Sequence, residues 1–418
     1  EMPISEIFKN DTIIALDHYL KNREESDMEH PIQKAREKEY YPTSPAQQRM
    51  YMLSMLENER GAYHIPMALL VEGRINAIQL ENALKTFLQR HEILRTGFEI
   101  QNNELIQKIY ENVDFRLEYE CLDASITDQR ALMEITSTYC KESIKPFDLS
   151  RPPLMRAKLI KIDDMRHILV LNFHHIISDG VSQGILMNEI LELYSNVPLP
   201  EVNVQYKDYV EWNHTFNQSD AMKKQEAYWL DVYRDIPSKL DFPYDYKRHH
   251  IDTFEGSSVF LDMERELSDH IRKLAKHTGT TLYTVMLSAY YVLLNKYTNQ
   301  TDIVVGTAAA GRLHPDLQDV FGVFVNTLAL RNEVDTSNSF KEFLQQTKER
   351  TIAAFDNSEY PFDDLIRKLN GVRESNRNPL FDTMFVLEDA RMFTKQKGDV
   401  KLSPVSYTHL TLPTTPYV

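Results

Sequence analysis

The segment FHHIISDGVS, residues 173–182, holds the densest set of side chains able to do chemistry. Histidine titrates near neutral pH, so His174 or His175 can take a proton from a substrate, a contribution typically of about 10²–10⁴-fold in rate. If residues 170–175 are extended, successive side chains alternate, so the two histidines point to opposite faces and only one enters a given cavity. Asp179 follows His175 by four residues, and Gly180 lets the chain turn sharply, returning a carboxylate to the imidazole or to a basic partner. A plainer reading stands beside this one: two histidines at a strand end serve as hydrogen-bonded packing residues, and Asp-Gly is an ordinary turn. No further ligand pattern accompanies the pair, which disfavours a metal.

These residues need a frame. Ile168 to Phe173 is a nearly continuous apolar run of strand length, as expected of a strand covered on both faces. After Gly180 the period changes, and Leu186, Ile190 and Leu193 fall on one helical face. Upstream, Leu80, Leu84, Phe87 and Leu88 predict an amphipathic helix up to Arg90, followed by a strand-like EILRTGFEI. The turn residues of SNVPLPEV, 195–202, mark a lobe boundary. Beyond it come a helical RELSDHIRKLAKHTG ended by Gly279, an apolar helix TLYTVMLSAYYVLLNKY and a strand DIVVGTA. Helices alternating with short apolar strands argue for two α/β layers.

Composition narrows the function. A 42% hydrophobic share with 10% aromatics excludes disorder for most of the 418 residues. Lys and Arg number 47 against 62 Asp and Glu, a net charge of −15, so a groove that tracks nucleic-acid phosphates is not expected. Cys121 and Cys140, the only thiols, fit a reducing cytoplasm, and no apolar stretch reaches membrane-spanning length. Residues 1–22 read as a short helical end that Asp11 or Thr12 can cap, and the charged NREESDMEHPIQKAREKE makes 23–40 a solvated linker. Residues 406–418, SYTHLTLPTTPYV, fit no secondary-structure template and look like translated sequencing-adapter read-through, which places the last natural residue near Val405.

His174, His175, Asp179 and Gly180 match HHxxxDG, and the chain here resembles the condensation domain of non-ribosomal peptide synthetases. Six further segments resemble that family in its own order: SPAQQRMYML from Ser44, RHEILRTGF from Arg90, YKDYVEW from Tyr206, FGVFVNTL from Phe321, YPFDDL from Tyr360 and RESNRNPLF from Arg373. Together they span residues 41 to about 405. The resemblance implies a chloramphenicol-acetyltransferase-like fold: an N-terminal lobe over 41–200 and a C-terminal lobe over 201–405, cut short, forming a V-shaped pseudo-dimer with a central tunnel. Residues 1–22 resemble the last helix of a peptidyl carrier domain. Donor and acceptor thioesters would arrive on 4'-phosphopantetheine arms of upstream and downstream carrier domains, beside an adenylation domain. The domain itself would bind no cofactor, nucleic acid or membrane.

On this resemblance His175 faces the tunnel as general base or as the group that orients the amine and stabilises the tetrahedral intermediate. Asp179 is structural, paired with Arg90 or, failing that, Arg95, which is also a candidate to line the tunnel. Gly180 lies with its N–H near the reacting carbonyl. Asn326 either satisfies backbone at a strand end or lines the tunnel, and Ser44, Gln47, Arg49, Tyr206, Asp208, Trp212, Arg377 and Asn378 read as scaffold. Two departures stand out: Val181 replaces the Trp of many members, and Asn357-Ser358 replaces a common His-Gln.

Three other functions compete. A coenzyme-A-dependent acyltransferase shares HxxxD, but the carrier-like start and the accompanying motifs argue against it. An epimerisation domain shares HHxxxDG but diverges at FGVFVNTL. A non-catalytic docking module is disfavoured for the parent protein by intact His175, Asp179 and Gly180, while the cut near Val405 leaves it open for this fragment, with part of one lobe removed and apolar surface exposed. The motifs look more like members that join an L-configured donor to an L acceptor.

Overall fold

The structure, a computed structural model, describes residues 12–15, 17, 31–56, 63–122, 128–246, 257, 259, 261–369, 377–388 and 393–405. The carrier-like reading of 1–22 lies almost wholly outside the described residues, as do 23–30, 373–376 and the tail 406–418. Within the first of these, the Thr12 hydroxyl accepts the Ala15 N–H at 3.2 Å, the cap expected there.

The first half runs β1 (Tyr41–Pro42), α1 (Pro45–Leu56), β2 (His64–Glu72), α2 (Ala77–Arg90), β3 (Thr96–Gln101), β4 (Glu104–Ile109), β5 (Leu117–Cys121), α3 (Gln129–Ser143), β6 (Met155–Lys161), β7 (Arg166–His174) and α4 (Gly180–Tyr194). The second runs α5 (Tyr206–Phe216), α6 (Asp220–Val232), α7 (Arg265–His277), α8 (Leu282–Thr298), β8 (Asp302–Ala309), β9 (Asn326–Glu333), α9 (Phe340–Asp356), α10 (Phe362–Lys368), β10 (Lys395–Lys397) and β11 (Val400–Pro404).

The central strand is β7, flanked by β2 and β6 in a six-stranded sheet ordered β10-β11-β2-β7-β6-β5. Its apolar run is continuous because both faces are covered. Leu169, Leu171 and Phe173 enter the main core with Leu84, Phe87 and Leu88 of α2 and Leu186 and Ile190 of α4. Ile168 and Val170, on the alternate face, pack with Cys140 and Ile135 of α3. The face predicted for α2 is the buried one, and the helix is capped by the Asn76 side chain, which accepts the N–H groups of Ile78 and Gln79.

Three expectations change. EILRTGFEI is not one strand: Glu92–Arg95 forms a 3-10 turn before β3. Residues 31–40 are not a solvated linker, because Ile32 is buried in the main core and the N–H groups of Ile32 and Ala35 donate to the carboxylates of Asp316 and Asp208. The second lobe does not run unbroken to Val405. Strand β11 pairs antiparallel with β2, Leu402 opposite Val71, and Phe393, Val400 and Leu402 are buried in the first-lobe core. The chain therefore returns to the first lobe, and an apolar, alternating VKLSP carries no mark of which sheet it will join.

In the second half, β8 and β9 pair antiparallel, and Gly306 of β8 also bonds the backbone of Thr383 and Phe385 at 2.9 and 2.8 Å. A Cβ at Gly306 would lie 2.5 Å from the Phe381 ring, so only glycine allows that approach. Helices α8 and α9 cover these strands, and Tyr233 and Tyr291 donate to the carbonyls of Ala329 and Leu330. The lobes share packing: Tyr206 and Val210 of α5, with Val320, Phe321, Val323 and Phe324, belong to the first-lobe core although they lie past the 195–202 boundary. Among the described residues no helix is long and apolar enough to cross a membrane.

Candidate active site

Strand β7 ends at His174, and His175–Ile177 forms a 3-10 turn, so the alternation argument covers His174 only. Both histidines are buried, at 4% and 3% exposure. His174 Nδ1 accepts the Ile176 N–H at 3.1 Å, so its proton sits on Nε2 and is donated to Ser54 Oγ at 3.2 Å. Ser54 in turn donates to the Met50 carbonyl at 2.8 Å, closing the chain on α1. Burial holds the His174 imidazole well below its ordinary range, helped by the neighbouring His64 and His175. These bonds make His174 a packing residue.

His175 differs. Its backbone N–H donates to the Tyr63 carbonyl at 2.7 Å, which fixes the turn to the start of β2, while Nδ1 is buried with no hydrogen-bond partner among the described residues. Burial lowers its pKa; its own carbonyl and the Asp179 charge act in the other direction, and Arg49 adds to the lowering. At neutral pH the ring is therefore neutral and able to accept a proton.

Asp179 caps α4, accepting the Ser182 N–H at 2.8 Å. Its partner is Arg312, which meets both carboxylate oxygens at 2.7 and 3.0 Å, and the Phe324 N–H donates to the same group at 3.0 Å. Burial pushes the Asp179 carboxyl up, but the Arg312 charge and these hydrogen bonds together bring it below the usual range. Arg312 also donates to Ser182 Oγ at 2.9 Å and lies 4.1 Å over the Phe324 ring.

The Arg90 and Arg95 pairings are thus corrected. Arg90 bonds Glu189 at 3.0 and 3.2 Å and the Pro200 carbonyl at 2.9 Å. Glu189 lies ten residues along α4 from Asp179, about 15 Å of helix, so one arginine cannot serve both. Arg95 is spent on carbonyls, those of Leu88 at 3.2 Å and of Tyr110 among them, tying the end of α2 to β4. Arg312 had a signal that was missed. It is the only Lys or Arg from 302 to 330, and a buried aspartate requires a cation.

Gly180 is corrected as well. It starts α4 without a positive φ, and a Cβ there would meet nothing within 4 Å, so neither turn geometry nor protein packing demands glycine. The residue is exposed and opens onto free space. Asn326 takes the backbone role: its Nδ2 donates to the Ser358 and Tyr360 carbonyls, both at 2.8 Å, and its Oδ1 accepts the N–H groups of Thr327 and Phe362. The segment that departs at Asn357-Ser358 is anchored through this amide.

The other motifs build the frame. Tyr206 hydroxyl donates to the Val323 carbonyl at 2.5 Å and bonds Ser44 Oγ at 2.9 Å, and its ring lies against Gly322, where a Cβ would be 2.0 Å away. Asp208 completes a capping box with Gln205, and Trp212 stacks on Phe216. Arg377 pairs with Asp382 at 2.5 Å, and Asn378 accepts the Leu380 and Phe381 N–H groups.

Between the lobes lies a cavity of about 60 Å³, walled by Arg49 of α1, Tyr209 and Trp212 of α5, Phe324, Asn326 and Asp363 of α10. His175 does not line it. Helix α1, which carries Arg49, packs on the His175 turn, and the Arg49 guanidinium stands 3.7 Å from Asp363.

Comparisons with known proteins agree with this fold. The family model described as Condensation domain matches residues 37–412. The chain is 97% identical over 97% of its length to Bacitracin synthase 1 of Bacillus licheniformis and 44% identical over 93% to Gramicidin S synthase 2 of Brevibacillus brevis, and spans about 8% of either relative. Among solved structures it resembles the first condensation domain of the CDA synthetase (TM-score 0.74, 18% identity, 88% of this chain and 87% of that one). It also resembles the X-domain from teicoplanin biosynthesis (TM-score 0.75, 22% identity, 85% and 79%), and both likenesses establish the two-lobed α/β fold. A chain matched to that model over most of its length, and carrying His174, His175, Asp179 and Gly180 at the junction of two such lobes, belongs to the condensation-domain family of nonribosomal peptide synthetases.

Proposed function

We propose that the domain joins a donor aminoacyl or peptidyl thioester to the α-amine of an acceptor aminoacyl thioester. Both substrates arrive on phosphopantetheine arms of the flanking carrier domains, the acceptor loaded by an adjacent adenylation domain, in the reducing cytoplasm. The amine nitrogen attacks the thioester carbon, the C–N bond forms and the C–S bond breaks. The nitrogen's proton leaves by way of His175 and ends on the departing thiolate.

The observation that carries this reading is the state of His175. It is a neutral buried imidazole on a turn fixed by the Tyr63 carbonyl and by the Asp179–Arg312 pair. Neutral imidazole accepts a proton at pH 7, and a fixed turn supplies orientation before substrate arrives. Gly180, at the exposed start of α4, leaves room beside that turn for a thioester. His174 has both ring nitrogens occupied and is not available for this work.

The test supplies aminoacylated donor and acceptor carriers and follows intact mass in a single turnover. Amide formation moves the donor acyl mass onto the acceptor carrier. An epimerisation domain would leave both masses unchanged while inverting the donor α-carbon, and a coenzyme-A-dependent transferase would use a coenzyme A thioester without any donor carrier. Either of the latter outcomes overturns the reading.

A further inference from the structure

Residues 31–40 do more than cover the first lobe. Ile32 is 5% exposed and belongs to the same core cluster as Leu317, Val320 and Phe321 of the segment between β8 and β9. Its backbone N–H donates to the Asp316 carboxylate at 3.0 Å, and the Ala35 N–H donates to Asp208 at 2.7 Å. Backbone donors in a packed segment need such partners, and here two carboxylates from far along the chain supply them. Asp316 stands on the 3-10 turn Pro315–Leu317 and Asp208 on the first turn of α5, so residues 32–35 tie one to the other. Both Ile32 and Ala35 precede residue 37, where the match to the family model begins.

The turn that Ile32 grips is the one that holds Arg312. His314 Nδ1 accepts the Asp316 N–H at 3.1 Å, and just past the turn Gln318 Nε2 donates to the Arg312 carbonyl at 2.7 Å. The Arg312 guanidinium meets Asp179 and Ser182 at the start of α4. Beside it the Phe324 N–H donates to Asp179 and the Gly322 N–H to Ser182 Oγ, each at 3.0 Å. A short path of bonds thus runs from Ile32 through Asp316, Gln318 and Arg312 to the carboxylate that follows the His175 turn. Its outer end is closed by one apolar side chain and one hydrogen bond. Water can replace the N–H at Asp316, whose side chain is 35% exposed, but it cannot replace the buried Ile32 side chain.

We propose that Ile32 is a positioning residue for this reaction: by fastening the Asp316 turn it holds Arg312 against Asp179, and so keeps the His175 turn in place against the segment between β8 and β9. The chain ahead of the first lobe is then part of the machinery that orients the site. This inference rests on the proposed role of His175, and its first readout, amide exchange, requires no turnover.

The test is hydrogen–deuterium exchange, read by mass spectrometry on the full 418-residue chain, for wild type, Ile32→Val, Ile32→Ala and Ile32→Asp. Ile32→Asp removes the apolar anchor and sets a second carboxylate beside Asp316, so residues 31–36 should detach. Peptides covering 311–324 and 178–184 should then exchange about tenfold faster or more, while 166–174 of β7 keep the wild-type rate. Ile32→Ala should show a smaller change in the same two peptides, and Ile32→Val should stay close to wild type. In the single-turnover assay the rate of Ile32→Asp at saturating carriers should fall about tenfold with the half-saturating carrier concentration unchanged, because orientation rather than binding is lost. A merely structural side chain would speed exchange across β7 as well, and that result overturns the proposal. So does unchanged exchange at 311–324 in Ile32→Asp, or an unimpaired rate once those peptides have loosened. Should Ile32→Asp fail to fold, Ile32→Ala decides on the same peptides and the same rate. If the peptides loosen as expected but wild type itself forms no amide, the proposed reaction has failed, while the hold of Ile32 on the Arg312 segment stands.

Discussion

Asp179 and Arg312 form a two-point ion pair, 2.7 and 3.0 Å, that joins the first turn of α4 to the segment between β8 and β9. The pair holds the two lobes together at the place where His175 turns out of β7, so in the proposed reaction the carboxylate four residues beyond the histidine acts by holding that turn in place.

Breaking this pair from one side leaves a buried charge. Asp179→Ala should lower unfolding free energy by about 3–5 kcal/mol, and Arg312→Ala by a similar amount. The double variant should lose clearly less than the sum, because each change removes the penalty the other creates. Urea denaturation of the four proteins checks it, and additive losses would show that the two do not act as a pair. Arg90→Ala should disturb Glu189 and leave the His175 turn intact.

Gly180→Ala separates protein packing from room for substrate. The added methyl meets no protein atom, and alanine favours a helical position over glycine, so stability should hold or rise by up to about 1 kcal/mol. Turnover should nevertheless fall by about tenfold or more if a thioester occupies that space. Urea midpoints and single-turnover rates on one preparation provide both readouts, and an unimpaired rate would clear the space of any part in binding.

Ser54→Ala removes the acceptor for His174 Nε2 and leaves a buried N–H unsatisfied. A loss of about 1–3 kcal/mol in stability is expected, with the acid limb of the rate profile unmoved. A shifted limb would implicate His174 in the proton transfer.

Acidification should weaken the fold and the reaction in the same direction. His64, His174 and His175 all have folded pKa values depressed chiefly by burial, His64 to about 4. The unfolded chain takes up these protons near pH 6.5 and the folded one later, so their contribution to stability is fully present above 6.5 and is lost as pH falls through the folded values. Asp179, also depressed, adds a loss below pH 3.8 in the same sense. Urea midpoints should be flat from pH 8 to 6.5 and fall from there towards 4. The single-turnover rate should likewise hold at pH 6.5 and drop only at lower pH, whereas a limb above 6.5 would contradict a buried neutral His175.

Much of this was legible in the chain. The continuous Ile168–Phe173 run and the spacing of Leu80, Leu84, Phe87 and Leu88 reported the central strand and its covering helix, because burial on two faces and on one stripe leave different periods. HHxxxDG marked the turn on which the proposed site is built. What the sequence hid was partnership over distance: Asp179 finds its arginine 133 residues away, and VKLSP joins a sheet begun at His64. Neither follows from local pattern, since an ion pair and a strand register are settled by which surfaces meet. The packing of 31–40 was hidden for the same reason, its charged residues masking backbone N–H groups that two carboxylates satisfy.

The central claim, that His175 handles the proton of the attacking amine, is tested most directly by single-turnover transfer between charged carriers for wild type, His175→Ala and His174→Ala, each first shown to be folded. The account predicts a loss of about 10²-fold or more for His175→Ala, and for His174→Ala a smaller loss that follows its stability. Transfer by folded His175→Ala within a few-fold of wild type would contradict it.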